Sequence, residues 1–261
     1  MHVLLLGGTS EARQLAAALN GRRGIEVTSS LAGRVADPAL PVGRVRSGGF
    51  GGVDGLRAWL REHEVTHLVD ATHPYAETMT RHAVQAAAEE SVPLMVLHRA
   101  PWTPLPEDRW IDAPSMADAA AVIADHPDWA RVLLTIGRQG VHHFAHLDDR
   151  EFTLRCIDPP EDPMPPRTTV LAERGPFDLD SERELFARTD ADVLVTKNSG
   201  GKLTSAKLRV ARERGLPVVM VQRPALPDDT PFVSTVAECE RWVLTTQPVR
   251  SAPTPSSTDE T

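Results

Sequence analysis

Two glycines and two hydroxyls, Gly7-Gly8-Thr9-Ser10, close the short apolar run from Val3 to Leu6 and open a stretch with helical spacing. Glycine lets a backbone come close to a phosphate, and the N–H groups and dipole at a helix start favour negative charge. Gly7, Gly8, Thr9 and Ser10 are therefore candidate phosphate contacts. The segment departs from the G-x-G-x-x-G fingerprint, because its last two glycines are missing and Ala12 stands near the helix-packing position. A tight strand-to-helix turn in any α/β protein would use similar residues, so this loop alone does not fix the chemistry.

The end of the next strand narrows the choice. Folds that bind NAD usually place an acidic residue there for the ribose 2′-hydroxyl, whereas this chain has Thr28-Ser29-Ser30-Leu31-Ala32-Gly33-Arg34. Hydroxyls and an arginine suit a 2′-phosphate, which points to NADPH with Ser30 and Arg34 as its partners. Two further loops follow strands and should line the same crevice, since ligands of open α/β sheets bind outside the carboxyl ends of the strands. One is Arg46-Ser-Gly-Gly-Phe-Gly-Gly52, whose Gly48, Gly49 and Phe50 are assigned to the cofactor. The other is Asp70-Ala-Thr-His-Pro-Tyr-Ala76, which contributes Thr72 to the cofactor and His73 and Tyr75 as titratable groups for catalysis. Hydride transfer needs little side-chain chemistry, and a water can replace either group as acid. The Tyr-x-x-x-Lys dyad of short-chain dehydrogenases is missing, because Met79 stands four residues after Tyr75.

Positioning such loops requires alternating strands and helices, and the chain supplies them almost from end to end. Strands are expected near 3–6, 26–30, 42–46, 67–71 and 93–97, with helices near 10–20, 53–63 and 76–90. The proline-rich, aperiodic stretch from Arg99 to Trp110 marks a junction. Beyond it the pattern restarts, with strands near 131–136, 152–157, 169–172, 192–196 and 217–222. Helices are expected near 115–125, 139–146, 179–188, 205–214 and 235–245. The fold class is α/β: two Rossmann-like domains with parallel sheets flanked by helices, spanning 1–100 and 112–245, with the active site in the cleft between them. Residues 246–261, rich in Pro, Ser and Thr, read as a disordered tail.

Composition sets the outer bounds. A chain of 261 residues with 41% hydrophobic content buries a core without staples. Cys156 and Cys239 lack metal or disulfide spacing. The net charge of −8 argues against nucleic acid as a partner. The apolar start is too short for a signal peptide and no run of 18 apolar residues follows, so the expected location is the cytoplasm, without membrane contact, as a monomer or small homo-oligomer.

The loops resemble those of the precorrin-6A and cobalt-precorrin-6A reductases of cobalamin biosynthesis. The resemblance rests on Gly7-Gly-Thr-Ser-Glu-Ala-Arg13, Gly48-Gly-Phe-Gly-Gly52, Asp70-Ala-Thr-His-Pro-Tyr-Ala76, Gly137-Arg-Gln139 and Thr196-Lys-Asn-Ser-Gly-Gly201, in order over residues 1 to 245. It implies an NADPH-dependent oxidoreductase that delivers a hydride to a macrocyclic tetrapyrrole, reducing one ring double bond at carbon 19 to give the 6B form. The proline-rich segment from Asp158 to Arg167 is a departure from the family pattern. A non-catalytic NADP(H) sensor and a transferase acting on a nucleotide-linked substrate are the competing functions.

A precursor bearing several carboxylates needs cations and backbone donors, which an acidic protein must concentrate locally. The second domain offers Arg138 after one strand, and Lys197 before the loop Asn198-Ser199-Gly200-Gly201 with Thr204 close to the next helix. These are the candidate substrate contacts, while Arg174 and Lys202 read as solvated charge. His142, His143 and His146 lack the glutamate or cysteine that a zinc site would add, so no metal is expected. Replacing Arg34 by Ala should weaken NADPH far more than NADH in a binding titration; equal effects would remove Arg34 from the 2′-phosphate.

Overall fold

The structure is a computed structural model, which describes residues 1–33 and 39–247. Arg34 lies outside the described residues, as does the stretch 248–261 of the expected tail. Two compact units divide the described residues, one formed by 1–33, 39–98 and 226–247, the other by 99–225.

The first unit begins with β1 (His2–Leu6), α1 (Ser10–Leu19), β2 (Glu26–Leu31), β3 (Arg44–Ser47), α2 (Gly52–Glu62), β4 (His67–Asp70), α3 (Glu77–Glu89) and β5 (Leu94–Leu97). Strand side chains alternate between faces, and β1 uses both. Val3 and Leu5 enter a core with Leu15, Leu19, Val27 and Val69, whereas Leu4 and Leu6 enter a second core with Leu56, Leu60, Leu68 and Ala83. A strand covered on both faces reads as the continuous apolar run seen in the sequence.

The second unit contains β6 (Arg109–Ala113), α4 (Met116–Ala124), β7 (Arg131–Thr135), a 3-10 turn (Val141–Phe144), β8 (Glu151–Cys156), β9 (Thr168–Ala172), α5 (Leu179–Thr189), β10 (Val193–Lys197), α6 (Ala206–Glu213) and β11 (Pro217–Val221). Leu133, Leu194, Val218 and Met220 pack with Leu185, Phe186, Leu208 and Ala211. Buried Arg150 closes the end of α4, donating to the carbonyls of Ile123, of Ala124 at 3.2 Å and of His126 at 3.0 Å.

After β11 the chain returns to the first unit as β12 (Phe232–Val233) and α7 (Val236–Thr245). Strand β12 pairs with Val96 and Leu97 of β5, and Cys239 and Val243 of α7 complete the core around Leu15 and Leu19. Fully buried His67 fixes the end of α7 through Nε2 to the Thr246 carbonyl at 3.0 Å. Burial lowers its pKa, which favours the neutral imidazole that donates this hydrogen bond.

Among the described residues each unit thus holds six strands, ordered β12-β5-β4-β1-β2-β3 and β6-β11-β10-β7-β8-β9, with every pairing parallel. The two Rossmann-like sheets flanked by helices match the expected fold class. The chain reverses direction across the sheet between β1 and β4 in the first and between β7 and β10 in the second. At such a reversal the loops diverge and leave a crevice.

Three sequence readings are corrected. The aperiodic stretch before Trp110 leads into β6, an edge strand that pairs along Pro217–Val221 and was hidden by the prolines preceding it. The helix expected over 139–146 is a four-residue 3-10 turn that starts at Gly140, whose φ is 90°. Residues 226–245 were expected in the second domain, but they belong to the first. Periodicity reveals the apolar face of α7, not the sheet that receives it. Among the described residues, no helix is long and apolar enough to cross a membrane.

The return segment gives a paired test. Val243→Asp places a carboxylate in a fully buried position and should cost the fold about 3 kcal/mol or more, whereas Leu244→Asp, one residue away and 43% exposed, should stay within about 0.5 kcal/mol in urea unfolding.

Candidate active site

In the first unit, two loops meet at the β1–β4 reversal, and one hydroxyl joins them. Thr9 is the N-cap of α1: its Oγ1 accepts from the Ala12 N–H at 3.1 Å and donates to the Ala71 carbonyl at 2.8 Å. The side chain that was read as a phosphate contact is therefore buried and holds the two loops together. Gly8 stands beside it with φ at 113° and open space where a Cβ would sit, so bare backbone faces outward here. Ser10 donates from Oγ to Glu11 Oε2 at 2.9 Å.

The β4–α3 loop hangs on a buried carboxylate. Asp70 Oδ1 accepts from the Thr72 N–H at 3.0 Å and from Thr72 Oγ1 at 2.6 Å, while Oδ2 accepts from Thr80 Oγ1 at 2.6 Å. Beyond this anchor the chain turns, with the Ala76 N–H donating to the His73 carbonyl at 2.7 Å. His73 is exposed and Tyr75 half-buried, with ring centroids 5.6 Å apart. The two titratable groups thus flank one turn at the mouth of the crevice.

At the β2 edge the structure adds a residue that sequence reasoning missed. Arg46, on β3, donates to Ser30 Oγ at 2.7 Å and to the carbonyls of Gly48 and Gly49, each at 3.1 Å. Its guanidinium lies 3.8 Å from the centroid of the Phe50 ring. The signal lay in the register: Ser30 pairs with Arg46 in the β2–β3 ladder, which the sequence does not declare. A recess is lined by Gly7, Gly8, Ala12, Arg13, Ser29 and Leu31. Ser29 Oγ is buried there without a hydrogen-bond partner, a donor and acceptor that a ligand would satisfy.

In the second unit, the loops after β7 and β10 carry Arg138 and the 197–204 segment. Asn198 was read as a substrate contact, yet both ends of its amide engage Trp102: Oδ1 accepts from the Trp102 N–H at 2.8 Å and Nδ2 donates to its carbonyl at 3.1 Å. The Trp102 indole donates to the Gly201 carbonyl at 2.8 Å, and Arg99 Nε to the Ser199 carbonyl at 2.6 Å. Gly200 is required by close approach, since a Cβ would stand 2.1 Å from the Ala100 carbonyl oxygen, at a φ of 65°. Arg223 ties the same strands, donating to the carbonyls of Asn198 and Arg99, each at 2.6 Å. These contacts make Asn198, Ser199, Gly200 and Gly201 a clamped loop, with half-buried Thr204 beyond it. Lys197, at the end of β10, is held down to about 8 by burial.

The histidines of the 3-10 turn gather no further ligands. His142 Nδ1 lies 3.5 Å from Asp162 Oδ2 of the proline-rich segment, and among the described residues no group of three His, Cys, Asp or Glu is arranged to hold a metal.

The depressed Lys197 has a measurable cost. Its folded pKa of about 8 lies below the unfolded value of about 10.4, so the unfolded chain binds more protons between those pH values and stability rises with pH across that window. Lys197→Met removes the penalty, and should raise the melting temperature more at pH 7 than at pH 10.

Residues 2–244 match the family model of precorrin-6x reductase CbiJ/CobK. A precorrin-6A reductase of Rhodococcus erythropolis is 53% identical over 243 residues, covering 93% of this chain and 97% of the relative. One from Mycobacterium tuberculosis (strain ATCC 25618 / H37Rv) is 47% identical, covering 92% and 96%. A cobalt-precorrin-6A reductase of Priestia megaterium is 29% identical, covering 88% and 93%. The solved structure of a CobK precorrin-6A reductase superposes with a TM-score of 0.88 at 39% identity, covering 95% of this chain and 99% of that one. With a family model matched over almost its whole length, the chain belongs to the precorrin-6x reductases, oxidoreductases of cobalamin biosynthesis.

Proposed function

We propose that this chain, in the cytoplasm, transfers a hydride from NADPH to precorrin-6A and so reduces one macrocycle double bond at carbon 19 to give the 6B form. The observation that carries the cofactor choice is the Ser30–Arg46–Phe50 cluster at the β2 edge, where a hydroxyl, a guanidinium and an aromatic ring stand together and, among the described residues, 28–33 at the end of β2 include no carboxylate for a ribose hydroxyl. A 2′-phosphate there would take charge-assisted hydrogen bonds from Arg46. Arg34 remains a second candidate cation.

Ser29 and the space over Gly8 support the fit of a dinucleotide, because one offers an unmet buried hydroxyl and the other lets a pyrophosphate approach the α1 start. When bound, the nicotinamide supplies the hydride. The residues of the chain orient it: the Thr9–Ala71 hydrogen bond fixes the two loops at one separation, and Asp70 fixes the turn that carries Thr72, His73 and Tyr75. His73 and Tyr75 are the proposed groups beside the reacting carbon. Arg138, Lys197 and the 198–204 loop are proposed to receive the carboxylates of the macrocycle. Greater identity to precorrin-6A reductases, at 53% and 47%, than to the cobalt-precorrin enzyme at 29% favours a metal-free substrate.

Anaerobic mixing with precorrin-6A should consume NADPH stoichiometrically and shift the macrocycle absorbance, with NADH much slower at equal concentration. Nucleotide binding without turnover on either the metal-free or the cobalt macrocycle would favour a sensor. Arg46→Ala should raise the KM for NADPH about tenfold or more and leave that for NADH within about twofold. An equal rise for both would take Arg46 away from the 2′-phosphate.

A further inference from the structure

The second unit buries more charge than its sheet requires. Arg155 of β8, Glu182 in the first turn of α5 and Lys207 in the first turn of α6 are 5%, 0% and 5% exposed. Arg155 Nη2 donates to Glu182 Oε1 at 2.8 Å, and its guanidinium lies 3.8 Å from the centroid of the Phe177 ring. Glu182 Oε2 is buried without a hydrogen-bond partner. The Lys207 ammonium lies over the Trp102 ring, 5.5 Å from its centroid. Two cations thus share one carboxylate, and the Arg155–Glu182 pair already satisfies its own charges.

A third charge beside a matched pair is costly, and a Met would fill the space of Lys207 without that cost. Burial pushes Lys207 down to about 7, and of the groups facing it electrostatically Arg155 adds to the shift while Glu182 opposes it. Of the remaining neighbours, β11 contributes only Pro217–Val221, while Arg183 and Arg209 pair with Glu213 on the outer faces of α5 and α6. Lys207 is therefore placed to change charge in response to something nearby. Trp102 links Lys207 to the glycine loop, because the ring it faces is the ring whose N–H holds the Gly201 carbonyl and whose backbone holds Asn198.

We propose that Lys207 is a positioning residue for substrate binding, taking up a proton when a macrocycle carboxylate occupies the 198–204 loop and steadying that loop through Trp102. The inference rests on the reading that this loop receives a carboxylate. By linkage, an anion that favours the protonated lysine is itself bound more tightly by the protonated form. The macrocycle carboxylates stay ionised above about pH 6, so a pH dependence of binding across the neutral range belongs to the protein.

The test uses the full chain with NADPH and precorrin-6A. For the wild type, KM should rise about fivefold to tenfold from pH 6.5 to pH 9 with kcat moving less than twofold. Lys207→Met should show a raised KM at pH 6.5 and only the shallower rise towards pH 9 that Lys197 imposes, and Lys207→Arg, whose charge does not titrate, should keep the low KM at pH 6.5 with the same shallower rise. Calorimetric titration in two buffers of different ionisation enthalpy should show proton uptake on macrocycle binding at pH 8 in the wild type, and distinctly less in Lys207→Met, where only Lys197 still titrates. The wild-type titration decides the matter even if the variants fold poorly. A Lys207→Met enzyme that keeps the wild-type KM profile, or binding without proton uptake, overturns the proposal while leaving the loop as substrate site. A macrocycle that does not bind at any pH overturns both.

Discussion

A loop that offers bare backbone to a ligand has few side chains with which to hold its own shape, so the groups behind it must hold it. In the first unit that constraint falls on the Thr9 hydroxyl and the Asp70 carboxylate. Thr9 satisfies a helix N–H and a carbonyl of the neighbouring loop at once, and Asp70 gathers three donors within two turns of chain. All of these groups are buried or partly buried, where an unmet partner would be expensive. The openness above Gly8 and the order of the His73–Tyr75 turn both depend on them.

The second unit meets the same constraint with carbonyls and cations. Trp102, Arg99 and Arg223 clamp the 198–201 carbonyls from the side, and Gly200 admits the Ala100 carbonyl where any side chain would collide. Cationic groups are plentiful there although the chain as a whole carries a net charge of −8. Several are held in poor solvent contact, Lys197 and Lys207 most of all, and lose basicity as a result. Such groups destabilise the fold relative to apolar replacements of the same volume.

Much of the architecture was legible because each sheet is covered on both faces. Val3 to Leu6 and Val193 to Val195 are apolar without alternation and bounded by glycine or polar residues, which announces parallel strands. The loops at the two reversals were legible for the same reason: glycines and hydroxyls at strand ends have few structural uses. What was illegible depended on partners distant in sequence. Ser30 meets Arg46 only through strand register, Asn198 and Trp102 are 96 positions apart, and α7 carries an apolar face that names no recipient. At Thr9 and Asn198 residue type alone does not reveal that the hydroxyl or amide is already engaged by the protein.

The excursion of the chain out of the first unit and back has a consequence for its synthesis. The sheet of that unit is begun by residues 2–97 but receives its sixth strand and the helix over Leu15 and Leu19 only from residues 232–245. The strands of the second unit, 109–221, emerge from the ribosome together and can close their core while the first unit still exposes one apolar face. Translation therefore orders the two units in time opposite to their order in the gene: the domain that begins first is completed last, with α7 as its closing piece.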